Sequence, residues 1–400
     1  MADPTPWLRG KLGDFFTISR EKGEEDLPML SVTMRNGLVR RDSIDRKMDS
    51  ELEDGDHLRV RPGDIAYNMM RMWQGASGLA TGDGIVSPAY VVVRPKKTVD
   101  PLFASYWFKS ERMIYLFWAY SYGLTNDRLR LYGKDFTQIP VELPSLPEQQ
   151  WIAEIISDFD RAIDITDALV GLKQSGKRAL MQQVFAATAD LAASVPSGWT
   201  RMRCDKLAKI VGGSTPDTAK PEHWGGDIPW CTPTDITGLS SRYITSTARS
   251  LTQSGVSACS TTILPAGSIV LCSRASVGES AINTVPMCTN QGFQSLVPNE
   301  PGDLLFLYYM LRACQRRLIR FSAGSTFLEF PGHELAKMQV AVPGPNMREK
   351  IGRVFATLDD EIDLLRAQAT ALRDQRRGAM KKLLAGDVTE QCQIIEEAAT

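Results

Sequence analysis

The stretch Ile351-Gly-Arg-Val-Phe355-Ala-Thr-Leu358-Asp-Asp-Glu-Ile362-Asp-Leu-Leu365-Arg-Ala-Gln-Ala369-Thr-Ala-Leu372 sets an apolar side chain at alternating steps of four and three residues. An unbroken 4-3 stripe is the a/d seam of a coiled coil, because it keeps one face of a helix turned toward a partner helix. The same spacing occurs earlier, at Ile152, Ile156, Phe159, Ile163 and Val170, with Thr166 at the interrupted position. Pro147-Glu148-Gln149-Gln150 opens that segment with proline and acidic signals of a helix N-terminus. Each helix should run about 35 residues, roughly 50 Å at 1.5 Å per residue. A helix that long with one apolar seam needs a partner, and the other copy is the obvious one. For two helices of one chain joined through a globule, an antiparallel coiled coil is the natural solution. The plainer reading is that each seam packs only on its own globule.

Outward from the seams, the whole chain repeats once. Trp7-x-Arg9-x-Lys11 reappears as Trp199-x-Arg201-x-Arg203, and Arg71-x-x-x-Gly75 as Arg274-x-x-x-Gly278. Pro95, Asp100, Phe103 and Tyr106 meet Pro298, Asp303, Phe306 and Tyr309 at a shift of 203; Gly133, Pro144, Asp160, Ile163 and Asp164 meet Gly332, Pro343, Asp359, Ile362 and Asp363 at 199. Shifts that drift by a few residues are what loop insertions between shared elements produce. Each copy starts with a Gly-, Pro-, Ser- and Thr-rich part holding short strand-like runs, such as Tyr90-Val91-Val92-Val93 and Ser268-Ile269-Val270-Leu271. Helix-like aromatic stretches follow, over 103–120 and 304–321. The expected fold is α+β with an internal pseudo-two-fold: a globule over 1–146, a long helix within 147–190, a second globule over 191–345, a second long helix within 346–385, and a tail over 386–400.

Length and charge bound the function. Four hundred residues suggest two to four domains. With 43% apolar and 23% charged residues the chain can bury substantial cores, which excludes wholesale disorder and collagen. Lysine and arginine number 46 against 47 acidic residues, so any nucleic acid would be held by local patches or by partner charge. No apolar run approaches the ~20 residues that span a bilayer, and the N-terminus lacks a signal peptide's basic and apolar regions. A cytoplasmic protein without membrane attachment is expected. The seven cysteines show no C-x-x-C pair and the only histidines are His57, His223 and His333, which speaks against a structural metal.

Catalytic constellations are missing from the pattern. Gly171 to Arg178 nearly spells a phosphate-binding loop, but its last position is arginine and it falls inside a helix rather than after a strand. There is no G-x-G-x-x-G after a strand, no Asn-Pro-Pro-aromatic element and no G-x-S-x-G. Asp45-Arg46-Lys47 has the shape of a nuclease carboxylate motif without an upstream Pro-Asp partner.

In PMLSVT (28–33), RPGDIAYNMMR (61–71), GIVSPAY (84–90), LPSLPEQQWIAEIISDFD (143–160), GGSTP (212–216), HWGGDIPWCTPTDI (223–236), LPAGSIVLCSRASVG (264–278), NQGF (290–293), GSTF (324–327) and the 339–385 helix region, the chain resembles the specificity (S) subunit of type I restriction-modification systems, the HsdS family. The match departs at Asn346-Met347-Arg348, where the first half has Pro147-Glu148-Gln149. The resemblance implies two target recognition domains, each reading one half of a bipartite site in double-stranded DNA, with the coiled coil as spacer. Half-sites should lie roughly one helical turn apart, and since the two globules differ where loops could read bases, the site should be asymmetric. It also implies a non-catalytic chain without a cofactor of its own. S-adenosylmethionine would sit on methyltransferase (M) subunits, two per chain, and ATP and Mg on restriction (R) subunits.

Base reading calls for Arg, Lys, Asn, Gln, Ser or Thr on groove-facing loops, and phosphate positioning for Arg, Lys and backbone N–H groups. Candidates are Arg35, Asn36, Arg40 and Arg41, read as one polar loop; Asn68 and Arg71; Ser214 and Thr215 in a Gly-Gly-Ser-Thr turn; and Thr234, Arg274, Gln291, Ser325 and Thr326. Arg71 and Arg274 serve equally well as structural arginines tying a strand end to a carboxylate, and the 212–215 segment equally well as a plain turn. The seam positions are Ile152, Ile156, Phe159, Ile163, Ile351, Phe355, Leu358, Ile362 and Leu365. Aromatic positions such as Tyr106, Trp107 and Tyr115 read as core. Besides a DNA-recognition subunit, a two-headed scaffold binding only proteins fits the neutral charge, and an enzyme is disfavoured by the missing constellations.

Overall fold

The computed structural model describes residues 7–24, 26–34, 36–43, 57–125, 128–322 and 329–385. The chain forms two compact units, residues 1–166 with 368–400 and residues 167–367. The division cuts both long helices, Leu146–Val184 and Pro345–Ala385, so each unit contains a globule, the first part of its own long helix and the last part of the other.

The repeat holds at the level of strands. In the first unit a four-stranded antiparallel sheet runs in the order Phe16–Ser19, Tyr90–Pro95, Ile65–Asn68, Ser77–Leu79. In the second unit the corresponding order is Ala208–Gly212, Gln294–Pro298, Ile269–Leu271, Ser280–Asn283, extended by Tyr243–Ile244. Each unit also closes its globule with an antiparallel strand pair next to the long helix: Leu8–Lys11 with Pro140–Leu143, and Thr200–Arg203 with Gln339–Val342. The second unit adds a three-stranded sheet, Arg249–Leu251, Trp224–Cys231, Cys288–Thr289, where the first has a separate hairpin, Leu30–Thr33 with Gly37–Arg40.

The aromatic stretches are each two helices rather than one. Pro101–Trp107 stops before Glu111–Ala119 because Ser110 turns extended and caps the second helix, accepting from the Met113 N–H. Leu304–Ala313 and Gln315–Ser322 break at Cys314. Trp107 is core, Tyr106 is half-buried and hydrogen-bonded, and Tyr115 is exposed, so the core reading holds for two of the three.

Both readings of the seam are correct, at different contacts. Ile152, Ala153 and Ile156 share a core with Phe103 and Leu143 of their own globule, and also with Leu383 and Leu384 of the other long helix. In the second unit Phe355 and Ala356 pack with Phe306 and Val342, and with Phe185, Leu180 and Met181 beyond the first helix's midpoint. The start of one long helix therefore lies beside the end of the other within each unit, which is antiparallel pairing. Ile163 and Ile362 are buried, while Phe159, Ile351, Leu358 and Leu365 are half-buried.

Polar clamps fix each helix to its globule. Asp160 accepts from the Tyr106 hydroxyl at 2.7 Å, and Arg376 of the other helix lies against the same carboxylate, Nη2 to Oδ2 at 3.3 Å. In the second unit Asp359 accepts from Tyr309 at 2.7 Å and is ion-paired with Lys177 of the other helix. Burial, reinforced by the neighbouring carboxylates, pushes both phenols above their usual pKa, so they remain donors. At the helix starts, Gln149 is fully buried and accepts from the Asp100 N–H at 2.9 Å while donating to the carbonyls of Thr98 and Pro144. Its repeat partner Arg348 instead pairs its Nε with the buried Asp303 carboxylate at 2.7 Å. The Asn346-Met347-Arg348 departure thus keeps the clamp and changes its chemistry. Cys204, Cys231, Cys272, Cys288 and Cys314 are buried and unbridged, and burial pushes the thiols of Cys204, Cys272 and Cys314 up to about 12, which keeps them protonated and unreactive.

Arg348→Met strands Asp303 in a buried site, so it should lower the unfolding free energy by about 3–5 kcal/mol in chemical denaturation. Adding Asp303→Leu should return most of that loss, because an apolar pair replaces a lone buried charge. A double variant no better than the single one would contradict the clamp.

Candidate nucleic-acid interface

In the second unit the sequence candidates come together. The strand Ala208–Gly212 runs into Gly213, where a Cβ would lie 1.9 Å from the Asn290 carbonyl oxygen, so only glycine permits the approach. That contact positions Ser214, whose N–H donates to the Thr289 carbonyl at 3.0 Å and whose carbonyl accepts from the Trp230 indole at 3.0 Å. The next side chain, Thr215, hydrogen-bonds the Gln291 side-chain carbonyl. Thr232 and Asp235 form a capping box at the start of the short helix Pro233–Thr237, which holds the exposed Thr234 3.2 Å from the Thr232 hydroxyl. Gly292 closes the group, since a Cβ there would sit 3.5 Å from Pro233 and 3.8 Å from the Arg274 Cβ. Four loops thus converge at one edge of the five-stranded sheet, presenting hydroxyl and amide groups that can donate and accept.

Arg274 follows the strand Ile269–Leu271 and gives its Nε to Glu329 at 3.0 Å. Of the two roles open to it, the structure supplies the carboxylate tie. Its repeat partner Arg71 differs: it is exposed and makes no side-chain hydrogen bond or ion pair among the described residues. Both precede a glycine with positive φ, Gly75 at +85° and Gly278 at +86°, which ends the same turn.

The first unit's candidates divide. Asn36 sits at the tip of the Leu30–Thr33/Gly37–Arg40 hairpin, its N–H on the Thr33 hydroxyl at 3.0 Å. The tip rests near Gly78, on the strand beside Ile65–Asn68. Asn68 turns its side chain back onto the Met70 N–H at 2.9 Å. Arg40 and Arg41 are not part of one loop with Asn36. They lie at the opposite end of a four-residue strand, roughly 13 Å away at 3.3 Å per residue, with Arg40 paired to Asp42 at 3.1 Å and Arg41 against Met29. The alternation Gly-Leu-Val-Arg, short and without polar partners, hid that strand. Arg35, Ser325 and Thr326, the Asp45-Arg46-Lys47 run and the 386–400 tail lie outside the described residues.

Sequence reasoning missed Arg249. Its guanidinium stacks 3.6 Å from the Trp224 ring centroid and 5.3 Å from that of Trp230, whose indole holds Ser214. The tryptophans flanking Gly-Gly-Asp-Ile-Pro in the sequence were the available signal. Among the described residues no group of three or more His, Cys, Asp or Glu is placed to hold a metal ion, and no helix is long and apolar enough to cross a membrane.

Comparison with known proteins follows the same two-part division. The family model for the type I restriction modification DNA specificity domain matches twice, at residues 4–170 and 196–373. The type I restriction enzyme MjaIX specificity subunit of Methanocaldococcus jannaschii is 37% identical over 171 residues, 42% of this chain and 40% of that one. The EcoR124I/EcoR124II specificity subunit of Escherichia coli is 25% identical over 244 residues, 58% of this chain and 59% of that one. Both matches take in less than two thirds of those subunits. The crystal structure of the HsdS subunit from Thermoanaerobacter tengcongensis shares the fold, with a TM-score of 0.57 at 16% identity over 96% of this chain and 98% of that one.

Gly213→Ala should force its loop off Asn290 and cost about 1–3 kcal/mol, as other overpacked sites do. Gly212→Ala, whose Cβ would meet nothing nearer than Gln294 at 3.6 Å, should be neutral. Chemical denaturation of the two variants checks the pair, and equal stability would mean the loop is not seated as described.

Proposed function

The chain belongs to the type I restriction modification DNA specificity family, and from that premise we propose that it is the DNA sequence-recognition subunit of a type I restriction-modification complex. Each globule would read one half of an asymmetric, bipartite site in double-stranded DNA. The observation carrying this reading is the doubled family match laid over a doubled fold whose polar edges differ. Sheet order, closing strand pair and helix clamp recur in both units, while the loops at the sheet edge do not. Shared scaffold with divergent edges is what two readers of different half-sites require.

The long helices would act as the ruler between the half-sites, because each runs unbroken from one globule's core to the other's. Methylation and cleavage would belong to partner subunits: two M subunits per chain binding S-adenosylmethionine, and R subunits using ATP and Mg. No catalytic step is assigned to this chain. The convergent hydroxyl and amide groups of Ser214, Thr215, Thr234 and Gln291 suit hydrogen bonds to base edges in the second unit. Asn36, Asn68 and Arg71 would contact DNA from the first.

Modified-base sequencing of DNA from cells carrying the methyltransferase with and without this gene tests the reading. A split, asymmetric motif modified only when the gene is present is expected. Its absence with an active methyltransferase would favour a scaffold that binds only proteins. Exchanging residues 14–131 for those of a relative should change one half of the motif and leave the other, so a change in both would sink the two-reader arrangement. Removing about one turn from each long helix should alter the spacer, and an unchanged spacer would remove the helices as ruler.

A further inference from the structure

The two sheet edges differ in charge at one equivalent position, Glu329 in the second unit and Arg130 in the first. In the second unit the buried Phe330 donates its N–H to the Ser273 carbonyl at 3.1 Å, which sets the preceding residue, Glu329, beside Arg274. The two side chains form an ion pair. In the first unit the buried Leu131, 199 residues earlier, donates its N–H to the Met69 carbonyl at 2.9 Å. The residue preceding it is Arg130. Where the second unit's Glu329 bridges Arg274, the first unit has Arg130 at the same place, across from Met70, the residue before Arg71.

Arg128 extends the group. Residues 128 to 131 alternate exposed, buried, exposed, buried, and Arg130 bridges Tyr122 in antiparallel fashion. Arg128 lies in a bend, its N–H on the Thr125 carbonyl at 3.0 Å, and is exposed like Arg130 two residues later. Neither makes a side-chain hydrogen bond or ion pair among the described residues, and neither does Arg71. Arg9, Arg59, Arg61 and Arg94 of this unit are matched with Glu142, Asp83, Glu21 and Asp64, while Arg20 and Arg112 are exposed without a side-chain partner among the described residues. Three exposed guanidiniums without counter-ions, carried by the two segments that the Leu131–Met69 hydrogen bond joins, suit an external polyanion. The residues 1–146 balance 20 basic against 20 acidic side chains, so no general field would do this work.

We propose that Arg71, Arg128 and Arg130 form a phosphate-binding edge that grips the backbone of duplex DNA in the first unit, while the Arg274–Glu329 pair keeps the equivalent edge of the second unit neutral. This rests on the DNA-recognition reading above. One unit would then supply more of the salt-dependent hold, and the other would rely more on neutral hydrogen-bonding groups.

The test uses the complex of this chain with its methyltransferase and a duplex bearing the motif it modifies, with affinity measured from about 50 to 200 mM salt. Each phosphate that a variant no longer neutralises lowers the slope of log K against log salt by about 0.9, so affinity falls about 3.5-fold less over that range. Arg130→Glu, which puts the second unit's carboxylate at the same position, should free at least one phosphate, with the weakening uniform across sequences. Arg130→Lys should keep the slope. Glu329→Gln should steepen it by up to one phosphate's share as Arg274 is released. Because Arg130 is exposed, thermal unfolding of Arg130→Glu should match the parent chain. An unchanged slope for Arg130→Glu overturns the proposal, as does a loss confined to one base pair with the slope intact, which would make Arg130 a base reader. A parent complex that shows no preference for its modified motif would instead bring down the recognition reading, and this edge with it.

Discussion

Two aspartates hold the long helices in place, and the rest of the architecture depends on how they are satisfied. Asp160 takes a hydroxyl from its own globule and a cation from the other helix, and Asp359 does the same with a different tyrosine and a different cation. Each carboxylate is therefore content only when globule, first helix and second helix are all present. Parallel pairing of the helices would set Asp160 level with Asp359 and bring like charges together, whereas antiparallel pairing sets each opposite Arg376 or Lys177. Charge thus reinforces the direction that the apolar seam alone would leave open. These pairs are partly exposed, so their contribution is one of specificity more than of stability.

Burial supplies the stability, and it is shared in an unusual way. The opening turns of each helix are core residues of a globule, so a helix cannot move without disturbing Phe103 and Leu143, or Phe306 and Val342. The buried polar clamps at Gln149 and Arg348 fix the same helix starts. They do so by different means, an amide saturated by backbone groups and a guanidinium matched to a carboxylate. The position matters more than the chemistry, provided every buried polar atom finds a partner.

At the sheet edges the logic reverses. There the scaffold positions recur and the side chains that could meet a ligand diverge. Gly213 lets one loop press against Asn290 and present Ser214 and Thr215. The first unit presents Asn36, Asn68 and an Arg71 unpaired among the described residues, the second hydroxyls and amides beside a paired Arg274. A fold duplicated for support and diversified at its edges allows two dissimilar surfaces to be held by one framework.

Much of this was legible in one dimension. Heptad spacing and turn signals depend on neighbours a few residues apart, so the two helices, their antiparallel pairing and the doubled α+β globule could be read from the sequence. Tyr106 and Tyr309, and Asp160 and Asp359, were visible as repeated positions, though nothing in their spacing said that they touch. Contacts between residues far apart in the chain were decided only by tertiary structure. Arg274 and Arg71 match in sequence, yet Glu329 neutralises one from 55 residues away while the other is exposed and unpaired among the described residues. The hairpin that separates Asn36 from Arg40 was likewise settled by cross-strand pairing rather than by local preference. Periodicity records what a segment must bury, but which charges meet is fixed only when distant segments fold against each other.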